Sequence, residues 1–448
     1  MWDNLLISLV IDLSVFLLCI SLLWRYGKLS AYHPATIYLV FHFLIFTVRL
    51  FAINRGAALF LSNSTYFVGT ENHEISRAAF WADMGFLAMT LAWLVEAQKN
   101  KDDFIQTEQS ILIDRKVLNM ILFVTIPLGI WGIFSQQYIP MLGKSEHDFG
   151  DWERSSYLSN TQNFVVLSMM ALIFKNGFKK IYLAIVVIFL LILALQGYHR
   201  YRVIVPLIFL GSLYLYRHQQ KWMPKRYWFI GIFCFLLFLP LKYIGKLVQE
   251  GATLKDFSDF FTEYQEVSGD GSNADLAFLD MYAVSMTLVD EAGSYYYGKT
   301  FFPILVSPIP RNFWNEKPSL MQWTLDISVP ERDISKLGAV CSIYGEAYAN
   351  FGYFGIVLIP FLFARFTARC YFKVLRSPPD SAFVFLYFLL ISVLVQVYRD
   401  GLVSIFTFIV IYNIPCLLIW LFSVLKGKLF YEKNGNYLLD EYSEFSSK

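Results

Sequence analysis

The sequence predicts an all-α, polytopic membrane protein of about 11 transmembrane helices with one large loop outside the bilayer. Three observations carry that expectation. Of 448 residues, 56% are hydrophobic and only 16% are charged. The apolar residues gather in runs of about twenty, the length a helix needs to cross hydrocarbon. Basic residues cluster at every second connection between those runs, as they do on the cytoplasmic side of membrane proteins.

In chain order, the apolar windows place helices near residues 4–24, 33–53, 76–97, 117–139, 161–176, 181–198, 201–217 and 227–244. Three more follow near 342–366, 381–397 and 402–425. The chain divides accordingly into eight spans over 1–244, a large extracytoplasmic loop over 245–341, three spans over 342–425 and a tail over 426–448. The start, Met1-Trp-Asp-Asn, lacks the basic and small-residue signatures of a cleaved signal, so the first run reads as a retained helix. The cysteines, Cys19, Cys234, Cys341, Cys370 and Cys416, show no C-x-x-C spacing and read as small apolar residues rather than a metal or disulfide framework.

Arg25/Lys28, Lys99/Lys101/Arg115/Lys116, Lys175/Lys179/Lys180, Arg217/Lys221/Lys225/Arg226, Arg365/Arg369/Lys373/Arg376 and the tail lysines occupy alternate connections. This predicts the N-terminus outside and the C-terminus in the cytoplasm. Arg365, Arg369, Lys373 and Arg376 share one helix face and read as snorkelling to lipid headgroups. The loop over 245–341 holds about twice as many acids as bases, which suits the outside.

Bases on the opposite side are the informative ones. Gln196-Gly-Tyr-His-Arg-Tyr-Arg202 sets His199, Arg200 and Arg202 in a short outer turn, and Gln396-Val-Tyr-Arg-Asp-Gly401 sets Arg399 beside Asp400 in another. An arginine at membrane depth costs about 2.5–3.5 kcal/mol on insertion scales, so it usually faces protein or a watery cavity. Two readings stand. Either these are interfacial residues, with Arg399 paired to Asp400 and the others on lipid phosphate, or they converge on a polyanionic ligand such as a diphosphate, which guanidinium groups grip bidentately.

The long loop has two parts. Asp256, Asp259, Asp280, Asp290 and their acidic neighbours read as a solvated face, and residues 274–292 as an amphipathic helix on the outer leaflet or capping the bundle. The second part, Pro308-Ile-Pro-Arg-Asn-Phe-Trp-Asn-Glu-Lys-Pro318, is a stiff coil carrying Arg311, Trp314 and Lys317. It suits a sugar-phosphate ligand, or a plain interfacial anchor. The chain then re-enters through Tyr344-Gly-Glu-Ala-Tyr-Ala-Asn-Phe-Gly352, where Glu346 and Asn350 share a helix face. Glu346 is a candidate general base or the partner of an outer arginine, and both roles are compatible.

The I-P-R-x-x-W-x-x-K-P element followed by G-E-x-Y-x-N-F-G resembles the Wzy-type O-antigen or oligosaccharide repeat-unit polymerases, most strongly over residues 302–366, with His199-Arg-Tyr-Arg202 adding weight. That resemblance implies a GT-C-like helical bundle in the bacterial cytoplasmic membrane. It also implies a glycosyltransferase that moves a growing chain from undecaprenyl diphosphate onto a new lipid-linked repeat unit. The implied substrate is an undecaprenyl-diphosphate-linked oligosaccharide and the implied setting is the lipid bilayer. A chain-length-regulating co-polymerase is the implied partner, and no cofactor, metal or nucleic acid is expected. The catalytic candidates are Glu346 first, His199 second and Asp400 third. Arg200, Arg202, Arg311, Arg399 and Lys317 are the diphosphate candidates, and Trp314 and Tyr348 the sugar contacts.

An O-antigen ligase shares this architecture and donor chemistry and is the runner-up, with a transporter or flippase of lipid-linked sugars behind it. One long loop and the lack of an internal repeat weigh against the flippase. A dolichol-type mannosyltransferase would carry paired acids in its first large outer loop, where residues 54–75 offer only Glu71 and Glu74.

Overall fold

The computed structural model describes residues 4–57, 71–100, 111–136, 160–194, 201–225, 277–307, 309, 313–319, 322–328 and 341–428. The described residues are helical, with one isolated bridge between Leu112 and Ser381. Six helices among them are long and apolar enough to cross a membrane: Leu5–Tyr26, Pro34–Asn54, Asn72–Lys99, Arg115–Ile133, Ser342–Arg376 and Ala382–Asp400. A seventh is counted if the pair Phe406–Tyr412 and Ile414–Lys428, bent by 78°, forms one span. Phe164–Asn176 and Lys180–Leu193 are apolar but shorter. The expected helix at 227–244 lies outside the described residues. The result is an all-α polytopic membrane protein.

The chain folds as two compact units. The first takes residues 1–103, 254–372 and 393–408. Its opening helix α1 (Leu5–Tyr26) begins where the Asn4 side chain accepts hydrogen bonds from the Leu6 and Ile7 amides. Only one stripe of α1 is buried, including Leu9, Asp12, Cys19 and Leu23, and it packs on α4 (Asn72–Lys99), while Leu6, Val10, Leu13 and Leu17 are exposed. That is the pattern of a helix whose outer face meets lipid. Between them, α2 (Pro34–His42) starts with Pro34 in its first turn and His33 as its cap, then runs through a π turn (Phe43–Thr47) into α3 (Val48–Asn54). A capping box opens α4, with the Glu71 amide bonded to the Glu74 carboxylate.

Helix α9 (Phe278–Ala292) corrects the solvated-face reading at Asp280, while Asp290 and Glu291 at its end are exposed as expected. It is buried along most of its length against α4, and Asp280 is fully buried in a two-point ion pair with Arg49, Nε to Oδ1 at 3.0 Å and Nη2 to Oδ2 at 2.5 Å. A buried carboxylate needs such a partner. Arg365 and Arg369, expected at lipid headgroups, also have a protein partner: both Nε atoms reach Oε1 of buried Glu96, at 2.6 and 3.1 Å.

The second unit takes residues 104–253, 373–392 and 409–448. Here α5 (Arg115–Gln136) packs on α6 (Phe164–Asn176), with Thr125 Oγ1 and Ser168 Oγ 2.8 Å apart, and α6 packs on α7 (Lys180–Ala194) and α8 (Tyr201–Arg217). Arg217 closes the end of α8 by bonding Asp380 at 2.9 Å, and Lys426 bonds Asp114 at 2.8 Å.

Candidate functional site

Helix α12 (Ser342–Arg376) is the element on which the candidate site is built. Residues 342–350 form one helical piece, all of them buried. Phe351 and Gly352 then leave helical geometry, Gly352 at φ +60° and ψ −148°, before the helix resumes. That backbone state is open essentially to glycine alone. It also frees carbonyls: those of Ala349 and Asn350 accept the Tyr296 and Tyr297 amides at 2.9 and 3.0 Å, and a methyl on Gly352 would meet the Tyr295 ring at 2.8 Å. Broken helices at membrane depth are stable only where protein or a cavity satisfies the released groups.

Glu346 is 2% exposed. Its Oε2 accepts the Leu402 amide, just past α13 (Ala382–Asp400), and its Oε1 has no hydrogen-bond partner. Gly401, at φ +96°, makes the approach feasible, since a methyl there would lie 2.5 Å from Oε2. Beside it, Arg399 Nε donates to Asp400 Oδ1 at 2.6 Å, which is the pairing the plainer reading expected, and its guanidinium lies 5.8 Å from the Phe278 ring. The structure therefore sets Glu346 against the turn that directly follows the Arg399–Asp400 pair.

Asn350 turns back on the same helix. Its Nδ2 donates to Thr300 Oγ1 at 2.7 Å and to the Glu346 carbonyl at 2.9 Å, and its Oδ1 accepts the Gly298 amide at 2.8 Å. The segment 296–300 is thus pinned against the broken turn. An open apolar depression of about 430 Å³ lies next to it, lined by Gly298, Phe301, Phe302, Ile304 and Leu305.

Tyr348 is buried, not an open sugar platform. Its hydroxyl donates to Asp290, whose other oxygen accepts Arg77 Nη1 at 2.7 Å, while Arg77 Nη2 donates to Thr287 at 3.2 Å. The aromatic pair with more surface is one the sequence reading missed: Trp81 stacks on Tyr353 with centroids 4.3 Å apart. A tryptophan four residues after an arginine in a span with a polar start was the available signal.

Lys317 donates to the carbonyls of Ser307 and Ile309 at 2.9 and 2.7 Å. Trp314, on that coil, is 37% exposed. Arg202 lies buried in the second unit, where its carbonyl accepts the Tyr412 hydroxyl at 3.5 Å. His199, Arg200 and Arg311 lie outside the described residues. Burial pushes the Cys341 thiol, just before α12, up to about 12, which leaves it protonated and inert at neutral pH.

The model of one protein family, O-antigen polysaccharide polymerase Wzy, matches residues 2–429. No curated protein and no solved structure matches the chain. With a match over nearly its whole length, the chain belongs to the O-antigen polysaccharide polymerase Wzy family.

Proposed function

We propose that the protein joins undecaprenyl-diphosphate-linked oligosaccharide repeat units into O-antigen or a related surface polysaccharide, at the outer face of the bacterial cytoplasmic membrane. Family membership carries the coarser statement, a polymerase role in a multi-pass bacterial membrane protein acting on lipid-linked repeat units. In the reaction an acceptor hydroxyl oxygen attacks the anomeric carbon of the donor sugar. The bond from that carbon to the diphosphate oxygen breaks, and the lipid diphosphate leaves with the electron pair. The hydroxyl proton passes to a base.

Glu346 is our assignment for that base, because a base must present a free oxygen within hydrogen-bond reach of the acceptor. The observation that supports it is the buried Glu346 carboxylate, one oxygen fixed by the Leu402 amide and the other unpartnered. Charge developing on the diphosphate is stabilised best by preorganised cations. Arg399, in the same unit as Glu346, and Arg311 are our assignments for those cations, with Lys317 as support. Asp400 already serves Arg399, which favours Glu346 over it as base, and His199 stays second. The apolar depression beside Gly298 suits a prenyl chain.

The test is a polysaccharide gel from a strain lacking the gene, complemented with wild type, Glu346→Gln or Arg365→Ala. Wild type and Arg365→Ala restore the ladder, and Glu346→Gln leaves a single repeat on the lipid A core. Loss of all repeats from the core, with long polymer still on the lipid carrier, would mean a ligase instead.

A further inference from the structure

Three ionisable residues from three helices meet in the interior of the first unit: Asp12 on α1, His42 at the end of α2 and Asp83 on α4. All are buried. His42 Nε2 lies 3.1 Å from Asp12 Oδ1 and 3.6 Å from Asp83 Oδ1, and one donor atom from each residue falls within 4.8 Å of the others. His42 is also the residue at which the helix widens into its π turn, a local distortion common at functional sites.

The charges in this cluster do not balance. Two carboxylates face one imidazole, and among the described residues no lysine or arginine pairs with either acid. Asp12 Oδ2 and both oxygens of Asp83 have no hydrogen-bond partner. Rings enclose the histidine, with Phe86, Phe46 and Phe16 at 4.5, 5.0 and 6.2 Å, so water is a poor substitute. Unpaired carboxylates at membrane depth are costly and are neutralised by a proton or by a bound cation.

We propose that Asp12, His42 and Asp83 bind one divalent cation of the zinc or manganese type, as a structural clasp between α1, α2 and α4. The donor set, two oxygens and one imidazole nitrogen, is that of borderline metals rather than of soft thiolate-loving ones. Donor atoms 2.0–2.2 Å from a tetrahedral ion lie about 3.3–3.6 Å from one another. The two histidine–aspartate separations fall close to that spacing. The other ring nitrogen is already engaged: His42 Nδ1 is 3.2 Å from the Tyr38 hydroxyl, the outer-shell hydrogen bond that fixes a metal-binding tautomer. The Tyr38 hydroxyl in turn bonds that of Tyr344, two residues before Glu346, so the clasp reaches the first turn of α12.

The experiment uses the full-length protein, purified in detergent on a tag that carries no metal and without chelator. Elemental analysis should find about one zinc or manganese per chain, and much less in Asp83→Asn and His42→Gln. After treatment with EDTA, adding zinc or manganese chloride should raise the melting temperature of the wild type but not of Asp83→Asn. Should the variants fail to fold, the EDTA and metal titration of the wild type decides alone. Absence of bound metal and of any metal-dependent melting shift in the wild type would overturn the proposal and leave protons as the neutralising partners. Equal metal content in wild type and Asp83→Asn would overturn it as well. Neither result bears on Glu346, since the readouts are metal content and melting rather than polymer formation.

Discussion

Glu346 carries two loads, an amide to accept and a proposed proton to receive, and a glutamine separates them. The side chain of Glu346→Gln still offers an oxygen to the Leu402 amide, so melting in detergent should change little, while the polymer ladder disappears. A full ladder in that variant would remove Glu346 as the base and promote His199. Gly401 tests the same contact from the other side. Gly401→Ala adds about 1–3 kcal/mol of backbone strain and drives a methyl to 2.5 Å from the carboxylate, so both melting temperature and polymerisation should fall. Tyr348 is a different case, because its hydroxyl serves Asp290 inside the fold. Tyr348→Phe should cost about 0.5–1.5 kcal/mol, one hydrogen bond, and keep the ladder; its loss would restore Tyr348 as a sugar contact.

At the scale of elements, the re-entering helix works because it is broken. Four residues of the G-E-x-Y-x-N-F-G pattern have separate tasks: Glu346 holds the turn after α13, Tyr348 the Asp290 carboxylate and Asn350 the 298–300 segment, and Gly352 makes the break itself. Gly352→Ala should therefore unfold this corner, and adding Tyr295→Ala should relieve the clash but not the strain, recovering only part of the melting temperature. The Arg49–Asp280 pair fastens α9 in a similar way. Removing one partner of a buried pair costs about 3–5 kcal/mol, whereas replacing both by apolar residues is often near neutral. Arg49→Leu alone should depress melting strongly, and Arg49→Leu with Asp280→Leu should restore much of it.

For the whole molecule, what the sequence made legible was local. Apolar runs gave the helices, and helical spacing put Glu346 and Asn350 on one face. What it hid was long-range. Asp280 looked solvated because no base lies near it in the chain, yet its partner Arg49 stands 231 positions away, and exposed Asp290 likewise reaches Arg77 across 213. Asp12, His42 and Asp83 each sit alone in an apolar run, and only the packing of α1, α2 and α4 turns three oddities into a cluster. Orientation is also a whole-chain property, since it depends on the sum of basic residues over alternating connections. In the topology we propose, outward placement of the 245–341 loop gives Glu346 and Arg399 access to a substrate displayed on the outer face. Alkaline phosphatase fused at residue 270 should therefore be active, and the same enzyme fused after residue 448 should be inactive. The reverse pattern would place the Glu346 corner on the cytoplasmic side and exclude it as the polymerisation site, however well its residues are arranged.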